Sequence, residues 1–298
     1  MTLLIQRLFD GLSSGAVYAA LALAIVLVFR ATGTLNLAQG EMAMFTCFLA
    51  WKLADPAHGL GWPVVPAILL AMAVGLAGGA VIERVVVRPV EDRTDHLPII
   101  IVTLGLMLAI NALAGALFTT DVVRLPEVFP AGALRLGDVH LSYATIGLLA
   151  VLLVVSALIW ALFQRTRIGL RMRASVDNPD SARLLGIRRS HMLMLGWGIA
   201  GALGALAAVL VAPQTFVHTG MLQGVLLYAF AAATLGGFTS VLGAVVGGLI
   251  VGVLQSLAAG YVGFIGNDLS LLVALVIIIA VLMVKPAGLF GRVDSSRL

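Results

Sequence analysis

The chain has 298 residues, of which 61% are apolar and 11% charged, with a formal net charge of +4. Soluble proteins carry about 25% charged residues, so a pair of ordinary soluble domains is excluded. Ser190 to Asn267 contains no Asp, Glu, Lys or Arg over 78 residues. As one helix this run would be about 117 Å long, against about 30 Å of bilayer hydrocarbon. The chain must therefore cross a membrane several times, and an all-α polytopic helical bundle is expected.

Charge-poor stretches mark nine helices in chain order, at 9–29, 34–52, 62–83, 97–119, 142–163, 191–213, 223–239, 241–259 and 269–284. Each is near the ~20 residues a crossing needs, and a total of eight to ten is expected. The first stretch resembles a signal peptide, but its uncharged run, Gly11 to Phe29, is too long for one. Arg30 also stands where a small-residue cleavage site should be. Segments 34–52 and 223–239 carry glycine or polar residues and are open to a partly re-entrant path. The long uncharged run is expected to break at Pro213 and around Gly236 to Ser240. The last span is short, so Lys285 is expected to snorkel.

Sidedness follows from the basic residues. Fourteen of the eighteen fall on one side, at Arg30, Arg84, Arg88, Arg93, the seven arginines of 165–189, Lys285, Arg292 and Arg297. Only Arg7, Lys52, Arg124 and Arg135 fall on the other. The positive-inside rule puts the N-terminus outside and the C-terminus in the cytoplasm. Trp51, Trp62, Tyr143 and Tyr261 then mark the outer edge, and Phe29, Trp160, Phe163 and Phe238 the inner one. Gly248, Gly252, Ser256 and Gly260 stand four apart, as do Gly75/Gly79 and Gly243/Gly247. Small residues at that spacing let helix backbones approach closely, within one subunit or at a subunit interface.

Few features carry chemistry. Cys47 is the single cysteine, and the five histidines include no i, i+4 pair, so neither a disulfide nor a metal site is signalled and no cofactor is expected. Gly11-Leu-Ser-Ser-Gly15 fits the serine-hydrolase elbow but opens a membrane helix instead of a strand-to-helix turn. Gly196-Trp-Gly-Ile-Ala-Gly201 fits a dinucleotide fingerprint, yet it lies inside the uncharged run, where helix packing explains it. The chain has no Gly-Lys-Ser/Thr, so it is not itself a P-loop ATPase. No acid, base and nucleophile converge, and an enzyme is not expected.

Polar residues inside the spans are the first group of candidates. Glu41 is the only acidic residue well inside a predicted span, and a buried charge there suggests function by default. A structural reading competes. Asn36-Leu-Ala-Gln39 resembles a capping box with its cap at Asn36, which would set Glu41 beside the positive helix end. Thr103, Asn111, Thr234 and Gln255 are expected to form helix–helix hydrogen bonds before substrate contacts. Together with Asn36, Gln39 and Glu41 they form the candidate translocation path.

The second group lies in the inner loop 164–190. Its arginines mark topology, but its middle reads as a short helix. Asp177 or Asn178 is the N-cap, Pro179 enters the first turn and Gly186 is the C-cap. Ala182, Leu184, Leu185 and Ile187 are expected on that helix. A short amphipathic helix held outside the membrane calls for a partner groove or the lipid surface. A cytoplasmic protein is the preferred reading.

Several stretches together resemble one family. They are Gly15-Ala-Val-Tyr-Ala-Ala-Leu-Ala-Leu-Ala24, Phe29-Arg-Ala-Thr-Gly-Thr-Leu-Asn-Leu-Ala-Gln-Gly-Glu41 and Ile82-Glu-Arg-Val-Val-Val-Arg-Pro89. The inner loop adds Gly169-Leu-Arg-Met-Arg-Ala174 and Asn178-Pro-Asp-Ser-Ala-Arg-Leu-Leu-Gly-Ile187. The end adds Leu235-Gly-Gly237, Gly243-Ala-Val-Val-Gly-Gly248 and Lys285-Pro-Ala-Gly-Leu-Phe-Gly291. In this order they resemble the permease subunit of branched-chain amino acid ABC importers, the LivH type. Departures from the family pattern stand at Tyr228, Gly236 to Ser240, and Lys285-Pro286.

The resemblance implies an ABC importer permease fold, with 1–298 as a single transmembrane domain in the bacterial inner membrane. It implies alternating access driven by two cytoplasmic ATPase subunits that bind the ATP, and a periplasmic substrate-binding protein. A second permease, favoured as a longer LivM-like sister, and membrane lipid complete the partners; nucleic acid is not among them. Residues 164–190 become the coupling loop, with Asn178, Pro179, Ala182, Arg183, Leu185 and Gly186 docking on the ATPases. Loops 120–140 and 214–222 become candidate docking surfaces for the binding protein. Related permeases carry urea, amides and other amino acids, so an ABC permease for another small solute (urea, amide or sugar) is the alternative within the class. An ion-coupled secondary transporter is the reading from a different class.

Overall fold

The computed structural model describes residues 2–33, 35–91, 97–136, 139–262 and 269–291. The long helices are α1 (Thr2–Thr32), α3 (Val64–Ile82), α5 (Leu97–Leu117), α6 (Tyr143–Arg165), α9 (Arg189–Thr215) and α11 (Val241–Tyr261). Between and after them stand α2 (Gln39–Ala54), α4 (Arg88–Glu91), α7 (Arg167–Asp177), α8 (Pro179–Leu184), α10 (Gln223–Gly236) and α12 (Ser270–Val284). A π-helical turn, Glu83–Val87, joins α3 to α4 without a break.

Every one of the nine expected stretches is helical at its centre. Among the described residues, six helices are long and apolar enough to cross a membrane. They are α1, α3 with its π-turn extension, α5, α6, α9 and α11, and the chain is a multi-pass membrane protein. At 14 and 15 residues, α10 and α12 are shorter than a full crossing. With its 16 residues, α2 spans about 24 Å, also short of the hydrocarbon core. Pro213 does not end its helix, because α9 runs on to Thr215. A proline this close to a helix end costs little, and the turn comes instead at Phe216, with φ 59°. A short hairpin also interrupts the all-helical pattern. Strand β1 (Ala133–Leu136) pairs antiparallel with β2 (Val139–Ser142), Ala133 opposite Ser142.

The chain divides into two compact units. One holds Met1–Val26, Phe129–Ala157 and Gly224–Leu298; the other holds Leu27–Val128 and Leu158–Gln223. In the first unit the glycine ladder of α11 packs on α1. A Cβ at Gly11 would lie 2.7 Å from the Val253 Cα, and one at Gly15 would lie 2.9 Å from the Gly248 carbonyl oxygen. Ser256 Oγ donates to the Arg7 carbonyl at 2.8 Å. In the second unit α3 packs closely on α9, where a Cβ at Gly75 would lie 2.6 Å from the Gly201 carbonyl oxygen. These ladders join helices of one subunit. Gly198 and Gly201 serve the same packing, whereas Gly196 faces Ala31.

Inside each unit, contacts group the segments that the charge pattern assigns to one face. In the first unit, Gln6 Nε2 donates to the His140 carbonyl, which brings the start of α1 to β2. At its other end, the amide of Leu289 donates to the Leu235 carbonyl at 2.7 Å. In the second unit, Val123 and Val217 exchange backbone hydrogen bonds at 2.9 and 2.8 Å, stitching loop 118–128 to the turn after α9. At its opposite end the Arg30 guanidinium lies 5.0 Å from the Phe163 ring centroid. At the end of α12, Lys285 Nζ donates to the Leu289 carbonyl at 3.1 Å.

Candidate functional site

The inner loop is two helices, not one. Thr166 caps α7 by accepting from the Gly169 amide at 3.1 Å, while its hydroxyl donates back to the Leu162 carbonyl. Gly169, Met172 and Ser175 form its buried face at three-residue spacing. Its Met172 side chain reaches α9, where a Cβ at Gly196 would lie 3.6 Å from the Met172 Cε. Sequence reading missed α7, because Arg167, Arg171 and Arg173 marked the segment as a topology signal. The three-residue spacing of Gly169, Met172 and Ser175 and the capping Thr166 were the signals the sequence held.

Helix α8 follows directly. Asn178 is its N-cap, with Oδ1 accepting the Ser181 amide at 3.0 Å, and Pro179 stands at the first turn. It is shorter than expected, ending at Leu184, with Leu185 as C-cap. Gly186 adopts φ 75°, a region that a side chain disfavours. Its amide donates to the Arg183 carbonyl and the Ile187 amide to the Ala182 carbonyl, both at 3.0 Å. This pair of bonds is a Schellman cap. It turns the chain sharply and leaves Ile187 beyond the helix, while Ala182 within α8 is buried. Leu184 and Leu185, by contrast, are 89% and 79% exposed. Arg183 is exposed beside them.

The membrane polar residues fall into separate groups. In the second unit, Asn36 is buried in the non-helical approach to α2. Its Oδ1 accepts the Ala38 amide at 3.0 Å, and its Nδ2 donates to Gln39 Oε1 at 3.3 Å. Gln39 Nε2 then donates to the Ala200 carbonyl at 3.0 Å. The expected capping box is not formed: the cap position is Ala38, and no side chain bonds there. The cause is that the Asn36 amide is taken up by this local turn.

Ala200 lies eleven residues into α9, about 16 Å from its start. Gln39, the first residue of α2, is therefore anchored about midway along α9, and irregular backbone leads to it. Such backbone is tolerated at membrane depth where protein buries it. Glu41 lies in the first turn of α2 and is buried. Asn111 Nδ2 of α5 donates to Glu41 Oε2 at 3.0 Å and to the Thr219 carbonyl at 2.9 Å. Two candidates, Glu41 and Asn111, are thus brought together.

Thr103 is fully buried but donates to Ile100 of its own helix, and Thr234 of the first unit likewise donates to Phe230. The expected helix–helix bonds are not made by these two, because a threonine hydroxyl reaches the preceding turn of its own helix. Gln255 of the first unit does bridge helices, accepting from the Tyr18 hydroxyl at 3.4 Å. Tyr18 stacks on Tyr228 with ring centroids 4.7 Å apart.

One buried acid was not weighed from the sequence. Glu83 is completely buried in the π turn. Arg88 Nε and Nη2 donate to its two oxygens at 3.4 and 3.3 Å, and Nη2 also to the Ser190 carbonyl at 3.3 Å. Among the described residues no cluster of His, Cys, Asp and Glu could hold a metal ion.

A family model described as "Branched-chain amino acid transport system / permease component" matches residues 7–282. The Pseudomonas aeruginosa protein "High-affinity branched-chain amino acid transport system permease protein BraD" is 31% identical, over 99% of this chain and 98% of that one. The Escherichia coli LivH protein of the same description is 28% identical, over 99% and 97%. A LivH protein of Methanocaldococcus jannaschii is 26% identical over 93% and 89%.

Proposed function

Since the chain belongs to the branched-chain amino acid transport permease family, we propose that it is the membrane subunit through which an ATP-driven importer passes branched-chain amino acids by alternating access. The full-length similarity to permeases named for that cargo carries the substrate class. The chain itself holds no ATPase motif. In this reading two ATPase subunits bind and hydrolyse ATP, a binding protein delivers cargo, and the permease is not an enzyme and needs no cofactor of its own. A LivM-like sister pairs with it in the inner membrane, with the N-terminus outside and the C-terminus in the cytoplasm.

The observation that best supports coupling is the doubly capped α8 with two bare leucines. Asn178, Pro179 and Gly186 hold a rigid knuckle, Ala182 anchors it, and Arg183, Leu184 and Leu185 face outward for a partner. Both leucines are exposed, so charging them spares the fold and isolates docking. Leu184→Asp with Leu185→Asp is expected to cut ATP-driven leucine uptake at least tenfold in proteoliposomes of the assembled complex, at unchanged permease content. Uptake equal to wild type would remove α8 from coupling. The cargo is tested by asking which amino acid, presented on the binding protein, stimulates ATP hydrolysis by the purified complex.

A further inference from the structure

We propose that Glu41 receives the α-ammonium group of an apolar amino acid in transit, with the aliphatic side chain laid against Phe45 and Phe118. The inference rests on the transport reading above and deepens it.

An acidic side chain within a membrane helix is costly unless something answers its charge. Glu83 shows the usual answer, an arginine on both oxygens. Glu41 has none. Among the described residues no Lys, Arg or His lies in ion-pair range of it. Its partner is a neutral amide, and Asn111 spends both N–H groups, one on Oε2 and one on the Thr219 carbonyl. The bond to Thr219 fixes the amide, so Asn111 positions the carboxylate without neutralising it. Among the described residues Oε1 accepts no hydrogen bond and is not sealed off, so a cation could reach it and answer the charge. One carboxylate is too few for a calcium-like ion, which takes six to eight oxygens. A primary ammonium needs only a few acceptors, and every amino acid carries one.

The neighbouring surface suits the rest of the molecule. Phe45 stands four residues after Glu41, on the same face of α2, about 5–6 Å further along. That is about the reach of a leucine from its nitrogen to its methyl groups. Phe118 stands seven residues after Asn111, just past the end of α5. It meets Phe45 edge-on at 5.4 Å and stacks on Phe48 at 5.5 Å. Phe48 is buried, whereas Phe45 and Phe118 keep part of their surface open. An acid, then a half-open aromatic wall one turn on, matches an ammonium followed by a branched aliphatic chain.

The test uses the complete transporter in proteoliposomes, with radiolabelled leucine on its binding protein, and reads leucine transported per ATP hydrolysed. Glu41→Gln is expected to lower that ratio at least tenfold. A purely structural Glu41 would lower uptake and ATP hydrolysis in proportion, and that result, or a ratio equal to wild type, overturns the proposal. Should Glu41→Gln fail to assemble, Phe45→Ala carries the test at a half-open position. Its ratio is expected to fall at least threefold, and an unchanged ratio overturns the proposal. A wild-type complex that imports no leucine refutes the transport reading itself, whereas normal wild-type import with normal Glu41→Gln import refutes the ammonium site alone.

Discussion

Arg88→Met is expected to destabilise the chain by about 3–5 kcal/mol, the cost of stranding one member of a buried ion pair. The size follows from Glu83, whose side chain has no exposure, while Arg88 keeps 35% of its own. Removing the arginine strips a carboxylate shut off from water of both its side-chain hydrogen bonds and its nearest counter-charge, leaving only Arg84 and His191 further off. Glu83→Met is expected to cost less, because the freed guanidinium can turn toward water. Changing both to Met is expected to recover most of the loss, since apolar replacement of a whole buried pair is often near neutral. Thermal unfolding in detergent, across the two single variants and the double, checks the order. Equal losses for the two single variants would refute the asymmetry, and a double variant as unstable as Arg88→Met would refute the pairing.

The pair also explains the π turn. Residues five apart in an α-helix point about 140° apart at 3.6 residues per turn, so Glu83 and Arg88 could not meet. The wider turn closes the Arg88 amide onto the Glu83 carbonyl and brings the two side chains together. Arg88 then reaches the Ser190 carbonyl, in the first turn of α9, where the inner loop ends. None of this was legible in the sequence. Spacings of three and four signal helix neighbours, and a spacing of five does not.

What was legible had short range. The uncharged run and the basic clusters located every long helix, because hydrocarbon tolerates few charges over any 20-residue stretch. Asn178, Pro179 and Gly186 announced α8, because caps are built from residues within three or four of one another. What depends on a distant partner was hidden. The depth of α2 is set by Gln39 on Ala200, 161 residues away, and the meeting of Glu41 with Asn111 spans 70. The resemblance to a permease family needed neither fact, which is why the identity was readable when the path geometry was not.

The second large effect is expected on α3, where two glycines three residues apart should respond with opposite signs. Gly75→Ala places a methyl 2.6 Å from the Gly201 carbonyl oxygen and 2.9 Å from its carbon. Both are backbone atoms of α9, so relief requires moving a helix. A destabilisation of about 1–3 kcal/mol is expected, and more for Gly75→Val. In a bilayer, packing holds helices together without help from water exclusion, so lost contact at this seam is not repaid elsewhere. Gly78 has nothing within 4 Å of its added Cβ. There, alanine only removes the flexibility of glycine, and Gly78→Ala is expected to stabilise the helix by up to about 1 kcal/mol. Thermal unfolding of the two alanine variants in the same detergent decides the matter. If both shift the same way, α3 and α9 are not held by the backbone contact at Gly75, and the glycine ladder would have to serve a different neighbour.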